Sequence, residues 1–306
     1  MQTVLEPRRP FPPPPNGSAA AVGVFDGVHL GHQAVLRETV ERARSRGAAA
    51  AVLTFRRHPR RLLTGKAPPA ITSLEHRLVL LERAGVDLVL VADFDEALRD
   101  TSAEDFVRHW LVGRLGSRAV VLGPDAKVGK NREGTPSRLA EMGTFLGFEV
   151  VVVPPVLVGG RPARSSAIRE AIASGDLAAA AAFLGRRVSV RGTVVHGDGR
   201  GRSIGLPTAN LNLHHELRPP RGVYAVDAAF DGERRRGVAN LGVRPTFGGT
   251  ETEVVEVHLP GFAGELYGKT IEVEFLAKLR EERRFAGVEE LRAAIRADVA
   301  AAIAFR

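Results

Sequence analysis

A doubly wound, parallel-sheet α/β domain followed by an antiparallel β-barrel with a C-terminal helix is the fold class this sequence predicts. Three observations carry it. From residue 19 to about 153, short apolar runs rich in Val, Leu and Ala alternate with amphipathic stretches, the pattern of strands buried on both faces and joined by crossover helices. From Arg187 onward the apolar runs take up period-2 alternation and are punctuated by Gly and Pro, as in a barrel of antiparallel strands. An amphipathic stretch from about Val288 to Ala304 then reads as a helix. At 306 residues the chain is long enough to bury two cores.

Residues 1–18 hold Arg8, Arg9, Phe11 and the prolines Pro12 to Pro15, and read as a flexible, Pro-rich leader. The first strand is the apolar run Ala19 to Val24, followed by a glycine turn and a helix over Gln33 to Arg46. Ala48 to Phe55, Val86 to Val91, Ala119 to Leu122 and Phe148 to Val153 read as further buried strands. Helical periodicity marks Leu74 to Ala84, Ala103 to Leu115 and Pro136 to Leu146, with Ser73 and Ser102 as N-caps of the first two. Two short helical patterns fill 164–184, split by Ser174-Gly175-Asp176. Val188 to Val195, Gly222 to Phe230, Gly237 to Leu241, Glu253 to Leu259 and Ile271 to Leu276 read as barrel strands. The change of texture near Gly185 divides the chain into domains over 19–185 and 186–306.

The chain has no cysteine, which excludes disulfides, thiolate nucleophiles and cysteine-held metal centres. The leader lacks the apolar core of a signal peptide, and no apolar run is long enough to span a bilayer. A soluble, cytoplasmic protein is the expectation, with no membrane partner. The formal net charge of +8 is compatible with anionic partners, but the arginines are scattered, and one Trp with two Tyr is little material for base stacking. A solvated basic surface is therefore expected rather than a nucleic-acid-binding one. The sequence sets no oligomeric state.

Two stretches carry chemistry. Gly23-Val-Phe-Asp-Gly-Val-His-Leu-Gly-His32 lies at the carboxyl edge of the first strand, where open α/β sheets bind ligands. His29 and His32 share one face of a helix start, and Gly31 leaves room between them for a phosphate to meet free backbone N–H groups. Downstream, Arg164-Ser165-Ser166-Ala167-Ile168-Arg169 can offer hydroxyls, amides and a guanidinium to a triphosphate. The same pattern also suits an ordinary cap. In the second domain, a glycine-dense loop from Gly192 to Gly205 leads into Leu206-Pro-Thr-Ala-Asn210. Thr208 and Asn210 are neutral hard-oxygen donors suited to Mg²⁺ bridging nucleotide phosphates. Along Val254 to Leu259, alternation sets Glu256 and His258 on one face, and Glu256 supplies the base a hydroxyl substrate needs.

These motifs resemble those of the bacterial bifunctional riboflavin kinase/FAD synthetase family over essentially all of the chain after the leader. The HxGH segment and the Ser-Ser-x-Ile-Arg segment resemble its nucleotidyltransferase module. Gly205-Leu-Pro-Thr-Ala-Asn210, Arg221-Gly-Val-Tyr224, Val238 to Thr246, Glu256-Val-His258 and Leu266-Tyr-Gly268 resemble its kinase module. The resemblance implies two activities: phosphorylation of riboflavin to FMN by Mg²⁺-ATP, and transfer of AMP from ATP to FMN, giving FAD and pyrophosphate. It implies that His29, His32 and Glu256 are catalytic and that Gly23, Phe25, Asp26, Gly31, Asp125, Ser165, Ser166 and Arg169 hold one nucleotide. Gly192, Gly205, Thr208 and Asn210 would hold the other, Thr208 and Asn210 by way of the metal. The chain departs from the family in the loop after Asp125, where Ala126 and Val128 replace aromatic residues, and at Pro162 and Arg164. Those departures leave open an N-terminal domain that is inactive on FMN or serves another acceptor.

Overall fold

The computed structural model describes residues 1–5, 11–197, 201, 205–214, 217–245 and 251–305. They form two compact units, Met1–Pro69 with Leu74–Ser165, and Ala70–Ser73 with Ser166–Arg306.

In the first unit, β1 (Gln2–Val4), β2 (Ser18–Val22), β3 (Ala49–Phe55), β4 (Leu88–Ala92), β5 (Ser117–Leu122) and β6 (Glu149–Val152) make one parallel sheet in the order β1-β4-β3-β2-β5-β6. Gln2–Val4, inside the stretch read as a leader, instead adds an edge strand, pairing with Leu88–Leu90. Three residues are too few for an apolar period to register in the sequence, but an open sheet edge offers them backbone partners.

The crossovers are α1 (Leu30–Ser45), α2 (Arg60–Thr64) with α3 (Leu74–Arg83), α4 (Glu96–Arg99) with α5 (Ala103–Phe106), and α6 (Pro136–Leu146). Alternate strand residues feed opposite faces of the sheet. Ala20, Leu53, Leu90, Val120 and Leu122 meet Phe106, Trp110, Leu111 and Leu139 on one side. Ala21, Val52, Val89, Val91 and Val121 meet Val35, Leu36, Leu80 and Leu81 on the other.

The helix expected over Ala103 to Leu115 is not uniform: after α5 it widens into a π-helix over Val107–Arg114. Wider turns bring Leu115, five residues beyond Trp110, onto the buried side, and its N–H donates to the Trp110 carbonyl at 3.2 Å. Ser102 caps α5 as expected, accepting from Asp105 N at 3.0 Å.

The second unit holds α7 (Ser165–Ser174, whose first residue belongs to the other unit) and α8 (Leu177–Leu184), then a closed antiparallel barrel. Its strands are β9 (Ser189–Val195), β10 (Thr208–Leu213), β11 (Gly222–Phe230), β12 (Glu233–Pro245), β13 (Glu251–His258) and β14 (Thr270–Arg280), ordered β10-β13-β12-β11-β14-β9. The texture of the sequence changes near residue 185, whereas the compact units part between Ser165 and Ser166. A 3.6-residue period shows that a helix has an apolar face, not which sheet it covers, and α8 packs on β14. Strand β10 was not among the expected strands, because Asn210 and Asn212 leave only Ala209 and Leu211 as its buried face.

The last helix, α9 (Val288–Ala304), is tied to the barrel by charge as well as by Ala302 and Val299 in its core. Arg280 forks onto Asp298 at 2.8 and 3.0 Å. Arg236 donates to the carbonyls of Ala302 and Phe305 at 2.8 and 2.6 Å, closing the C-terminal turn, and to the buried carboxylate of Asp227 at 2.6 Å. Among the described residues no helix is long and apolar enough to cross a membrane.

Candidate active sites

The first site grows from a strained turn at the carboxyl end of β2. Phe25 (φ 51°), Gly27 (φ 83°) and Val28 (φ 39°) all take left-handed backbone conformations. For a β-branched residue such as Val28 that is a true outlier, and such strain persists only where the surroundings over-determine it. Here they do. The Val24 carbonyl accepts from Arg77 Nη1 at 2.7 Å and Thr54 Oγ1 at 3.2 Å. The Phe25 carbonyl accepts from Val28 N at 3.1 Å, Asp26 O from Ser165 Oγ at 3.1 Å, and Val28 O from Gln33 Nε2 at 2.9 Å. Gly23 N–H is spent on Leu53 O, and a side chain at Gly23 would crowd the Phe25 ring.

This turn delivers the histidines. His29 is the N-cap of α1, its Nδ1 accepting from His32 N at 3.4 Å. Its ring stacks on that of His32 with centroids 3.6 Å apart and planes 19° from parallel. Gly31 is required by close approach: a Cβ there would lie 3.2 Å from the His29 ring and 3.3 Å from the Ala163 carbonyl. Phe25, 2 % exposed, lies under His32 with centroids 5.1 Å apart.

Burial, then the neighbouring His29 and Arg77, push the His32 pKa well below the ordinary imidazole value. Its Nδ1 is sealed without a hydrogen-bond partner, although the side chain as a whole is only partly buried. The pair is thus presented with His32 neutral, ready to gain a proton when negative charge arrives.

The structure brings Gly23, Phe25, Asp26, His29, Gly31, His32 and Ser165 together. Phe25 and Asp26 do so as buried supports, and Ser165 by gripping the Asp26 carbonyl. Ser166 and Arg169 follow on α7. Asp125 stands apart in the loop after β5, exposed and paired with Arg164 at 2.9 Å. The loop's departures have a physical reading. Val128 turns inward, 9 % exposed, with Ala126 packed against the same core, and the backbone closes through a Val128–Gly134 bridge.

The second site lies on three neighbouring barrel strands. Asn210 of β10 pairs with Glu256 of β13, which pairs on its other side with Asn240 of β12, so the three share one face. Thr208 is opposite His258, whose Nδ1 donates to the Pro207 carbonyl at 2.8 Å and so fixes the start of β10. A side chain at Gly197 would collide with the Asn210 amide, and one at Gly201 would press on Thr208 Oγ1, so these two glycines lie directly against the donors. Gly205 takes φ 74°, the turn into the strand. Gly192 lies mid-strand in β9 rather than in the loop, where a Cβ would come within 3.0 Å of the Asn212 carbonyl. There its missing side chain lets β9 and β10 approach closely. Residues 198–200 and 202–204 of the glycine-rich run, and Thr246, lie outside the described residues.

Sequence reasoning missed Arg77, Asn240 and Glu282. Arg77 had a signal, being a basic residue on the apolar face of α3, in step with Leu80 and Leu81. Asn240 becomes meaningful only through strand register. Glu282 accepts from Asn240 Nδ2 at 3.4 Å, and a side chain at Gly242 would run into its carboxylate.

With both constellations placed, comparison with known proteins is informative. The FAD synthetase family model matches residues 12–167, and the riboflavin kinase family model matches residues 184–305. A relative from Haemophilus influenzae, "Bifunctional riboflavin kinase/FMN adenylyltransferase", is 40 % identical over 94 % of each chain. The chain belongs to the bifunctional riboflavin kinase/FMN adenylyltransferase family. Family members of the same name from Pseudomonas fluorescens and Bacillus subtilis are 41 % and 37 % identical, over 95 % and 94 % of this chain and 93 % and 92 % of theirs. A solved structure titled as a macrolide-efflux protein from Streptococcus pneumoniae superposes with a TM-score of 0.83 at 30 % identity, covering 99 % of both chains.

Proposed function

We propose that this family member makes FMN in its barrel and FAD in its parallel-sheet unit, from riboflavin and two molecules of ATP. The observation that carries the reading is that each unit holds its own phosphate-suited constellation, in the order of the two family models. In the barrel, Thr208 and Asn210 offer neutral oxygens with Gly197 and Gly201 against them, a donor set that fits the Mg²⁺ of Mg-ATP. When bound, that ion neutralises and orients the phosphates. Glu256 takes the proton of the ribityl hydroxyl as its oxygen attacks the γ-phosphorus and ADP leaves. Asn240 lies opposite it on β12, and His258 ties β13 to the Pro207 carbonyl before β10.

In the first unit an FMN phosphate oxygen attacks the α-phosphorus of ATP, and the bond to pyrophosphate breaks. No covalent enzyme intermediate is required. Catalysis is in-line positioning and stabilisation of the charge that develops on pyrophosphate, by His29 and His32, with Ser165 holding the turn that presents them. The family resemblance assigns Asp125 to the nucleotide, and here its partner is Arg164. Because both half-reactions consume ATP, we place the enzyme in the cytoplasm.

Chromatography of riboflavin, FMN and FAD after incubation with Mg-ATP, started separately from riboflavin and from FMN, tests the reading. FMN then FAD should accumulate in the first case, and FAD with stoichiometric pyrophosphate in the second. FMN formation without any FAD from either start would rule out the adenylyl-transfer half and leave a riboflavin kinase with a different N-terminal acceptor.

A further inference from the structure

Arg77 is a buried charge beneath the first site to which the reaction just described gives no task. Its side chain is 5 % exposed. Nη1 donates to the Val24 carbonyl at 2.7 Å, the Phe55 carbonyl at 3.0 Å and Thr54 Oγ1 at 3.1 Å. One nitrogen thus clamps the carboxyl ends of β2 and β3, directly before the strained Phe25–Val28 turn. Nε is buried with no hydrogen-bond partner, so the clamp is not an optimised piece of core.

Burial lowers the guanidinium's pKa, which Asp26 and then Glu75 partly offset. A well-packed apolar side chain commonly stabilises as much as a buried charge or more. A charge kept here at such a cost, within electrostatic reach of both Asp26 and His32, is placed for the site rather than for the core.

We propose that Arg77 is a positioning residue for adenylyl transfer: it holds the strand-end backbone from which His29 and His32 are presented and sets a fixed positive charge beneath the phosphate site. The inference rests on the adenylyltransferase reading of this unit. It assigns two separable effects to one side chain. The clamp holds Val24, and with it the left-handed turn that aims the histidines. The charge disfavours a second cation at His32 in the empty site and joins it in opposing the triphosphate's negative charge once the nucleotide is bound.

The test uses the full chain with Arg77→Met, Arg77→Lys and Thr54→Val. FAD formation from FMN is measured as kcat and as KM for ATP, normalised to the number of nucleotide sites titrated per chain, so that an unfolded fraction cannot pass for slow chemistry. Riboflavin phosphorylation on the same preparations reports the other unit. Arg77→Met should lower normalised kcat by about tenfold or more with KM for ATP changed less than threefold, and kinase activity should stay at the wild-type level. Arg77→Lys, which keeps a charge able to reach the two carbonyls, should recover at least a third of the lost rate. Thr54→Val, which removes one Arg77 acceptor and one of the two bonds to the Val24 carbonyl but leaves the charge, should cost less than Arg77→Met, and an equal cost would overturn the part assigned to charge. A normalised kcat for Arg77→Met within twofold of wild type would overturn the proposal, and Arg77→Lys performing no better than Arg77→Met would overturn the part assigned to charge. A wild-type chain making no FAD from FMN would instead remove the reading beneath it.

Discussion

His32 carries the clearest pH consequence. Folding lowers its pKa, so as pH falls through about 6.5 the unfolded chain takes up a proton there before the folded one does. The site's contribution to stability is therefore fully present above that pH and is lost below it, by at most about 1.4 kcal/mol per pH unit and less because the ring keeps some exposure. Denaturant titration of the first unit at pH 7.5 and 5.5 should show this slope, and His32→Gln should flatten it. ATP reverses the preference by placing negative charge beside the ring. Calorimetry in two buffers of different ionisation enthalpy should detect proton uptake on nucleotide binding near pH 6.5 in wild type and markedly less in His32→Gln. Both histidines were legible in the sequence because motif spacing reports them. Arg77 was not, because a single arginine in an amphipathic helix looks solvated until the helix is docked.

At the scale of elements, the start of α1 leaves no room for an added methyl group. Gly31→Ala would set a Cβ against the His29 ring and the Ala163 carbonyl, both at 3.2–3.3 Å. Moving them should cost about 1–3 kcal/mol and shift the imidazoles, so FAD formation should fall at least tenfold while FMN formation is unchanged in the same assay. Most elements could be read in advance because apolar period is a property of the segment itself: α6 runs over the expected residues, and β3 begins one residue late. What escaped depends on partners. β1 exists because β4 has a free edge, β10 because β9 and β13 flank it, and the π-helix because Trp110 and Leu115 must reach one core. The Asn210–Glu256–Asn240 row is likewise a matter of register, which no single strand encodes.

For the whole molecule, two units with separate cores and separate sites imply separable losses. Asn210→Ala or Glu256→Ala should abolish FMN formation from riboflavin and leave FAD formation from supplied FMN within twofold of wild type. His29→Ala or His32→Ala should do the reverse, read by the same chromatography. Either variant losing both activities while remaining folded would contradict the two-site arrangement. Stability should divide in the same way. Asp298→Asn weakens the fork from Arg280 and should cost the barrel about 2 kcal/mol, seen as a shift in the unfolding transition that riboflavin kinase activity follows and FAD formation from FMN does not.

The Arg236 bonds to Ala302 and Phe305 bear on synthesis as well as on stability. The barrel's strands are complete by Arg280, yet the carbonyls that engage Arg236, the partner of buried Asp227, arrive only with the last turn of α9. On the ribosome, Arg236 would wait for some seventy residues of further translation before its guanidinium is satisfied. A message truncated within α9 would yield a kinase unit whose sheet is whole but whose Arg236 lacks its closing carbonyls, and limited proteolysis should cut that product faster than the intact one.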